Sequence, residues 1–547
     1  MAAHIDTGNM LGPDSYTSKL LNHLGLVAGM YDELGIGETL DRLIKQDKTQ
    51  RQVTIGQAIK AMVLNGLGFA HRALYLTEQF FQDKPVNRLI GDDIEAKQLN
   101  DDVLGRALDT LYGYGLERLY SQITALSLKR LGLSSTFAHL DSTSFHPEGH
   151  NAQEQEEGVI HITKGYSRDH RPDLNQVVLQ LICERQAGIP LLMQPLSGNS
   201  SDKDNFRNTI NSHIKQLQEF NIDDIVADSA LYTAATIEDM NDFLWISRVP
   251  ETLTQARDII HAKAPELMSN RLQRAWCHLT TTYGTIQQRW VVVYSPQAYQ
   301  RALKTLNKEC LKQSTSEFKQ FNKLCQQDFA CEADALKALT HFENILKMTY
   351  ILDKQVNALA HYSQPGRPQR DQQPKGYHYR IQGALASKCS ERTRRLERKS
   401  CFILATNQLD EQALSDEALI KAYQDQQTVE RGFRFLKDPL FMASTLFLKS
   451  PQRIMALMMV MTLCLLVYAA LEYRFRQALN AHQETVPNQK GQAISNPTAR
   501  WVFQLFAGIH VLVIEQLHSL VLNLSPHHLL VLRLLGSRYQ QLYAASG

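Results

Sequence analysis

Three carboxylates in the chain stand where metal-assisted chemistry could be done: Asp141 in HLDSTSFH, Asp228 in IVADSALY and Glu430 in YQDQQTVERGF. Carboxylates gathered in one cleft repel each other unless something neutralises them, and hard divalent cations do so through oxygen ligands. Mg²⁺ takes a few carboxylates together with phosphate oxygens of a substrate. A two-ion site clamps the attacking and leaving oxygens of an in-line displacement. Each residue alone also has a plainer reading. Asp141 and Asp228 could cap turns at strand ends, and Glu430 could be the ion-pair partner of Arg431, Arg434 or Lys437.

The elements that must position them are legible. From Lys421 to Leu440 the sequence is KAYQDQQTVERGFRFLKDPL, in which Tyr423, Gln426, Gln427, Glu430, Phe433, Arg434 and Lys437 recur at helical spacing and form one stripe. Pro439 ends that helix. STFAHLDSTSFH alternates and is rich in β-branched and aromatic residues, which predicts a strand with Asp141 inside it. QVVLQLICE and PLLMQPLSG predict two more strands, joined as a hairpin across RQAGI. GNSSDKDN caps a predicted helix, FRNTINSHIKQLQEF. IDDIVADSALY follows as a buried strand whose last residues include Asp228, then TAATIEDMN as a short helix and FLWISRVP as a strand. This succession resembles that of an RNase H-like domain, which carries one carboxylate on its first strand and another just after its fourth. Ligands collect at the carboxyl ends of parallel strands, where Asp228 falls.

At 547 residues the chain is too long for one core, and two to four domains are expected. Its net charge of +2 argues neither for nor against a polyanionic partner. The eight cysteines are scattered, with no CxxC pair and no Cys/His spacing of a structural zinc, which fits reduced thiols in a cytosol. The first residues, MAAHIDTGNMLGPDS, lack the basic and apolar blocks of a secretion signal, so a cytoplasmic protein is expected. From Ile454 to Leu471 no residue is charged, a run long enough to span a membrane. No second run resembles it, and we read it as a buried core helix.

Residues 16–133 show helical spacing throughout and predict a helical N-terminal domain without a convincing helix-turn-helix. The division expected is 1–133 helical, 134–250 the first part of the core, 251–385 an insertion, 386–450 the second part of the core with the Glu430 helix, and 451–547 helical. Helices are expected at 454–479, 499–521 and 527–545. A basic cluster, Lys388 to Lys399, lies close in sequence to that helix and could contact phosphates. His139 and His146 flank Asp141 and read as packing or loop histidines.

Together Asp141, Asp228 and Glu430 resemble the acidic triad of DDE transposases from bacterial insertion sequences. The match is closest to the superfamily with a Tyr–x2–Arg–x3–Glu–x6–Lys signature, read here as Tyr423, Gln426, Glu430 and Lys437, with Gln426 in place of the arginine. GYSRDHRPDL, WISRVP and ERGFRFLKDPLF are similar to that family as well, and so is the long interval between Asp228 and Glu430.

The resemblance implies an α/β protein whose RNase H-like catalytic core is interrupted by an insertion domain, with a helical N-terminal domain and a helical C-terminal region. It implies two Mg²⁺ (or Mn²⁺) ions held by Asp141, Asp228 and Glu430, nicking of DNA at the element's ends, and strand transfer into target DNA without a covalent protein–DNA intermediate. Tyr423, Gln426, Arg431, Arg434 and Lys437 would contact DNA near the cleaved end, and Lys164 and Arg168 in ITKGYSRDHRP would face DNA beside the site. The implied partners are the terminal inverted repeats and target DNA, bound by a homodimer and not by a membrane. A catalytically inactive, transposase-derived DNA-binding protein and another RNase H-like metal-dependent nuclease remain the alternatives.

Overall fold

The computed structural model describes residues 16–46, 52–68, 74–134, 137–147, 158–165, 171–200, 220, 222, 224–227, 229, 232–240, 243–363, 373–425, 432, 436, 445–446, 448, 450–514 and 518–545. The chain falls into two compact units. One comprises Met1–Ser247, Gly284–Ile286 and Asp410–Gly547, the other Arg248–Tyr283 and Gln287–Leu409.

The first unit opens with a short strand, β1 (Tyr16–Leu20), where the sequence predicted helix. Helices follow at Leu24–Glu33, Ile36–Leu43, Ile55–Gly66, Asp101–Tyr114 and Leu116–Leu131. Thr54 starts the third of these with a capping box: its hydroxyl accepts the Gln57 N–H while the Gln57 side chain accepts the Thr54 N–H.

Five strands come next: β2 (Phe137–Pro147), β3 (Val177–Glu184), β4 (Pro190–Ser197), β5 (Asp224–Ala227) and β6 (Leu244–Arg248). They lie in the order β4-β3-β2-β5-β6. β2 is antiparallel to β3 and β3 to β4, whereas β5 runs parallel to both β2 and β6. That order and polarity are those of an RNase H-like sheet, as the succession of elements led us to expect. The hairpin between β3 and β4 closes around Glu184, whose buried carboxylate accepts the backbone N–H groups of Gln186, Ala187 and Ile189. Burial raises the pKa of this carboxyl, and the three N–H donors oppose that rise. The helix predicted over FRNTINSHIKQLQEF lies outside the described residues, apart from its last residue, Phe220.

In the second unit, β7 (Ala275–Tyr283) and β8 (Ile286–Tyr294) are followed by the helices Pro296–Cys325 and Glu332–Ile345 and by the long antiparallel pair β9 (Thr349–His361) and β10 (Gly376–Ser387). Phe321 and Phe342 from the two helices stack and meet Ile351 and Ile381 of that pair in a small core. Buried Glu317 ties the long helix to the start of β9, accepting from the N–H groups of Lys347 and Met348 and from the Thr349 hydroxyl. The helix Cys389–Ser400 leads into β11 (Cys401–Thr406), which pairs antiparallel with β8.

The chain re-enters the first unit at Asp410, forms the helix Asp416–Asp425, and returns to the sheet at β12 (Thr445–Leu446), parallel to the far end of β2. The helix Pro451–His482 starts at a Ser450 cap with Pro451 in its first turn. By length and composition it could cross a membrane. It is instead surrounded by the helices Leu24–Glu33, Ile55–Gly66, Asp101–Tyr114, Leu116–Leu131 and Pro526–Leu535, and most of its apolar run is buried in the main core. A helix apolar on every side fits that central position.

The C-terminal region is less helical than its sequence suggested. After a two-stranded pair, β13 (Val486–Pro487) and β14 (Ala493–Ile494), a helix runs only from Ala499 to Leu505. Gly508 then takes φ +86°, and HVLVI and HSLVL become the strands β15 (His510–Ile514) and β16 (His518–Leu522). β15 lies between β16 and β1, which accounts for both departures from helix at once: Tyr16–Leu20 pairs residue by residue with His510–Ile514. The alternating β-branched pattern of 510–514 outweighed its apolar content. The last predicted helix is two, Pro526–Leu535 and Ser537–Leu542, parted by Gly536 at φ +110°.

Candidate active site

Asp141 lies in the middle of β2 and is buried. Side chains alternate along a strand, so Phe137, His139, Asp141, Thr143 and Phe145 share one face. Their partners on β3 include Cys183, Leu181, Leu179 and Val177, which together with Phe145 belong to the main core of the first unit. The Asp141 carboxylate accepts the N–H of Ser142 at 2.8 Å.

The neighbours of β2 change along its length. On one side β3 accompanies it from Ala138 to Phe145. On the other, β5 pairs with it from Phe137 to Leu140 among the described residues, and β12 takes that side at His146 and Pro147. From Asp141 to Phe145, no strand among the described residues pairs β2 on that side. Asp141 directly follows Leu140, the register partner of Ala227.

Beside this face sits an ion pair that sequence reasoning missed. Arg185, in the turn after β3, donates through Nε to Asp425 at 2.5 Å, and its guanidinium lies 5.2 Å from the ring centroid of Phe137. Both side chains are partly buried. Asp425 lies in the helix Asp416–Asp425, at the end of its described residues. His139, between Phe137 and Asp141 on the same face, is fully buried and has no hydrogen-bond partner among the described residues. Burial lowers its pKa to about 4, with Asp425 pulling it up and Arg185 pushing it down, so the ring is neutral at ordinary pH. It packs, as expected, though without the hydrogen bond that usually accompanies a buried imidazole. Only the Arg–x–Ala–Gly turn was visible in the sequence, and nothing there marked Arg185 as a partner of Asp425.

The remaining predicted site residues divide as follows. Tyr423 is half-buried on the helix Asp416–Asp425. Lys164 is exposed, next to Thr163, which bridges to Gln176 at the start of β3. Asp228, Glu430, Gln426, Arg431, Arg434, Lys437 and Arg168 lie outside the described residues. Two residues near Glu430 are described. Gly432 and Leu436 are both helical, Leu436 is buried in the main core, and a Cβ on Gly432 would come within 3.2 Å of the Leu465 side chain. Arg171, near Lys164, is held by Asp173, to whose carboxylate it donates from both Nε and Nη2.

The basic cluster of 388–399 forms the helix Cys389–Ser400 and the residue before it, and much of its charge is matched within the second unit. Lys399 pairs with Glu309, Arg395 with Glu391 and Arg398 with Glu251; Lys388 donates to the Leu346 carbonyl and Arg392 to the Asn307 side chain.

Residues 134–467 match the family described as the transposase DDE domain, more than half of the chain, and the protein belongs to that family. Divalent metal is the usual cofactor of its members. Residues 16–125 match a domain of unknown function, DUF4277. No curated protein matches the chain in sequence. Among solved structures it is similar to the piggyBac transposase in a synaptic complex with hairpin DNA, at 9% identity, over 88% of this chain and 78% of that one. The TM-score of 0.36 is too low for that likeness to bear on the site.

Proposed function

We propose that this protein is a transposase that cuts DNA at the ends of an insertion sequence and joins them to target DNA, with a divalent-metal site formed by Asp141, Asp228 and Glu430. The observation that carries the reading is the position of Asp141: buried in the middle of the first strand of an RNase H-like sheet, directly after Leu140, the register partner of Ala227 on the neighbouring parallel strand. Asp228 follows Ala227 directly in sequence, and Glu430 lies two residues before Gly432. A carboxylate donor set of this kind suits a hard cation such as Mg²⁺ or Mn²⁺. When bound, two such ions supply an activated oxygen nucleophile and stabilise the leaving oxygen of a phosphodiester.

The chain's own groups have the remaining work. The core around Phe145 and Leu181 keeps Asp141 in one orientation. Tyr423, Gln426, Arg431, Arg434 and Lys437 hold the phosphates and sugar at the cleaved end, and Lys164 and Arg168 take the flanking backbone. The N-terminal domain, 1–133, reads the element end, and two copies hold the two ends together in the DNA complex.

The test is cleavage and joining of a labelled duplex carrying the flanking element end, with Mg²⁺, by the wild type and by Glu430→Ala. Nicking at the end by the wild type, lost in the variant while DNA still binds, is the expected result. Binding without cleavage by the wild type would point to an inactive descendant, and equal cleavage by both would remove Glu430 from the site.

A further inference from the structure

We propose that Arg185 is a positioning residue for the third carboxylate: by holding Asp425 over the Asp141 face of β2, it fixes where the segment carrying Glu430 starts. The inference rests on the reading of Glu430 as a metal ligand given above.

The argument is one of fastenings. Glu430 follows Asp425 by five residues, and the chain is secured on both sides of it. Upstream, Asp425 is bonded to Arg185, whose guanidinium lies against the ring of Phe137. Phe137 and Asp141 point to the same face of β2, with His139 between them. The pair therefore sits over the face that presents Asp141. Downstream, Gly432 lies against Leu465 of the helix Pro451–His482, Leu436 is buried in the same core, and Thr445 pairs with His146 at the far end of β2.

The two fastenings differ in kind. The downstream one is made by apolar packing and strand pairing, which define a depth and a general location. The upstream one is a directional, charge-assisted bond from the Arg185 Nε–H to the Asp425 carboxylate. It ties the helix Asp416–Asp425 to the turn between β3 and β4, and thus to the same sheet that holds Asp141. Residues that orient metal ligands without touching the metal commonly change metal affinity or activity by about 10- to 100-fold when removed.

The experiment uses the full chain and four variants: Arg185→Ala, Arg185→Lys, the exchanged pair Arg185→Asp/Asp425→Arg, and Glu430→Ala. Mn²⁺ binding is followed by electron paramagnetic resonance without DNA, and cleavage of the end duplex is measured separately in Mg²⁺. A positioning role predicts that Arg185→Ala weakens Mn²⁺ binding and slows cleavage by about tenfold or more, with duplex affinity and melting temperature near those of the wild type. Arg185→Lys should recover part of the loss, and the exchanged pair more of it. Loss of Mn²⁺ binding in Glu430→Ala but not in Arg185→Ala would overturn the inference and leave the site reading standing. The inference also fails if Arg185→Ala loses activity only in proportion to its melting temperature and the exchanged pair recovers nothing. Unchanged Mn²⁺ binding and cleavage in Glu430→Ala would remove the site reading itself, and the inference with it.

Discussion

Leu140 of β2 and Ala227 of β5 are register partners on adjacent parallel strands. Asp141 is the next residue on β2, and Asp228 the next in the chain after Ala227. Replacing Asp141 by Asn keeps the size of the side chain and removes its charge. Single-turnover cleavage by Asp141→Asn should fall roughly a thousandfold or more, with the fold intact by circular dichroism. Because members of one catalytic unit do not act additively, Asp141→Asn/Glu430→Ala should be scarcely slower than the worse single variant. Multiplying losses would mean that the two carboxylates act independently.

Gly198, just past β4, packs against the segment that carries Lys164. Its N–H donates to the His161 carbonyl, its carbonyl accepts from the Gln176 amide, and a Cβ there would lie 2.0 Å from the Gln176 backbone oxygen. Nothing flexible can yield, so Gly198→Ala must push 161–165 away from the sheet. The expected cost is about 1–3 kcal/mol of stability, read by chemical denaturation. If Lys164 contacts DNA, end-duplex affinity should fall in the same variant.

Glu317 makes a different kind of prediction, confined to the second unit. Its carboxylate satisfies two backbone N–H groups and the Thr349 hydroxyl at the root of the β9–β10 pair. Glu317→Ala leaves these donors without partners and should cost about 2–4 kcal/mol. Amide exchange should quicken in 347–361 and 376–387 and stay unchanged in β2 to β5. Uniform acceleration through the whole chain would show that the units do not open separately.

His23 sets a pH dependence. Its ring is buried, bonded to the Leu67 carbonyl at 2.7 Å and stacked on Phe503, and burial lowers its pKa from 6.5 to about 4. The unfolded chain therefore takes up this proton at a higher pH than the folded one. The stability is fully present above pH 6.5, is lost progressively as the pH falls toward 4, and amounts to about 3 kcal/mol in all. Denaturation midpoints across that range should show the fall. His23→Gln, which can still donate to Leu67, should flatten it, and an unflattened curve would assign the effect to other groups.

The core strands and the Asp416–Asp425 helix were legible because their periodicity and turn residues agree with their final environment. Where the environment came from far along the chain, periodicity misled. Tyr16–Leu20 and His510–Ile514 are strands because they pair with each other, and no local window contains both. The apolar run 454–471 was ambiguous by composition, since only its neighbours distinguish a central core helix from a membrane span. Asp141 could be singled out as a carboxylate within a strand, which is an unusual place for one. Arg185 could not, since an arginine in a polar turn is ordinary until Asp425 is seen against it.

The pairing of β1 with β15 has a consequence for synthesis. β1 leaves the ribosome tens of seconds before its partner β15 is translated, and the central helix Pro451–His482 is almost as late. Until then the N-terminal helices have no central helix to close on, and β1 lacks its partner strand. The first unit can therefore be completed only after β15 has been made, so a message cut short before His510 yields no finished copy of it.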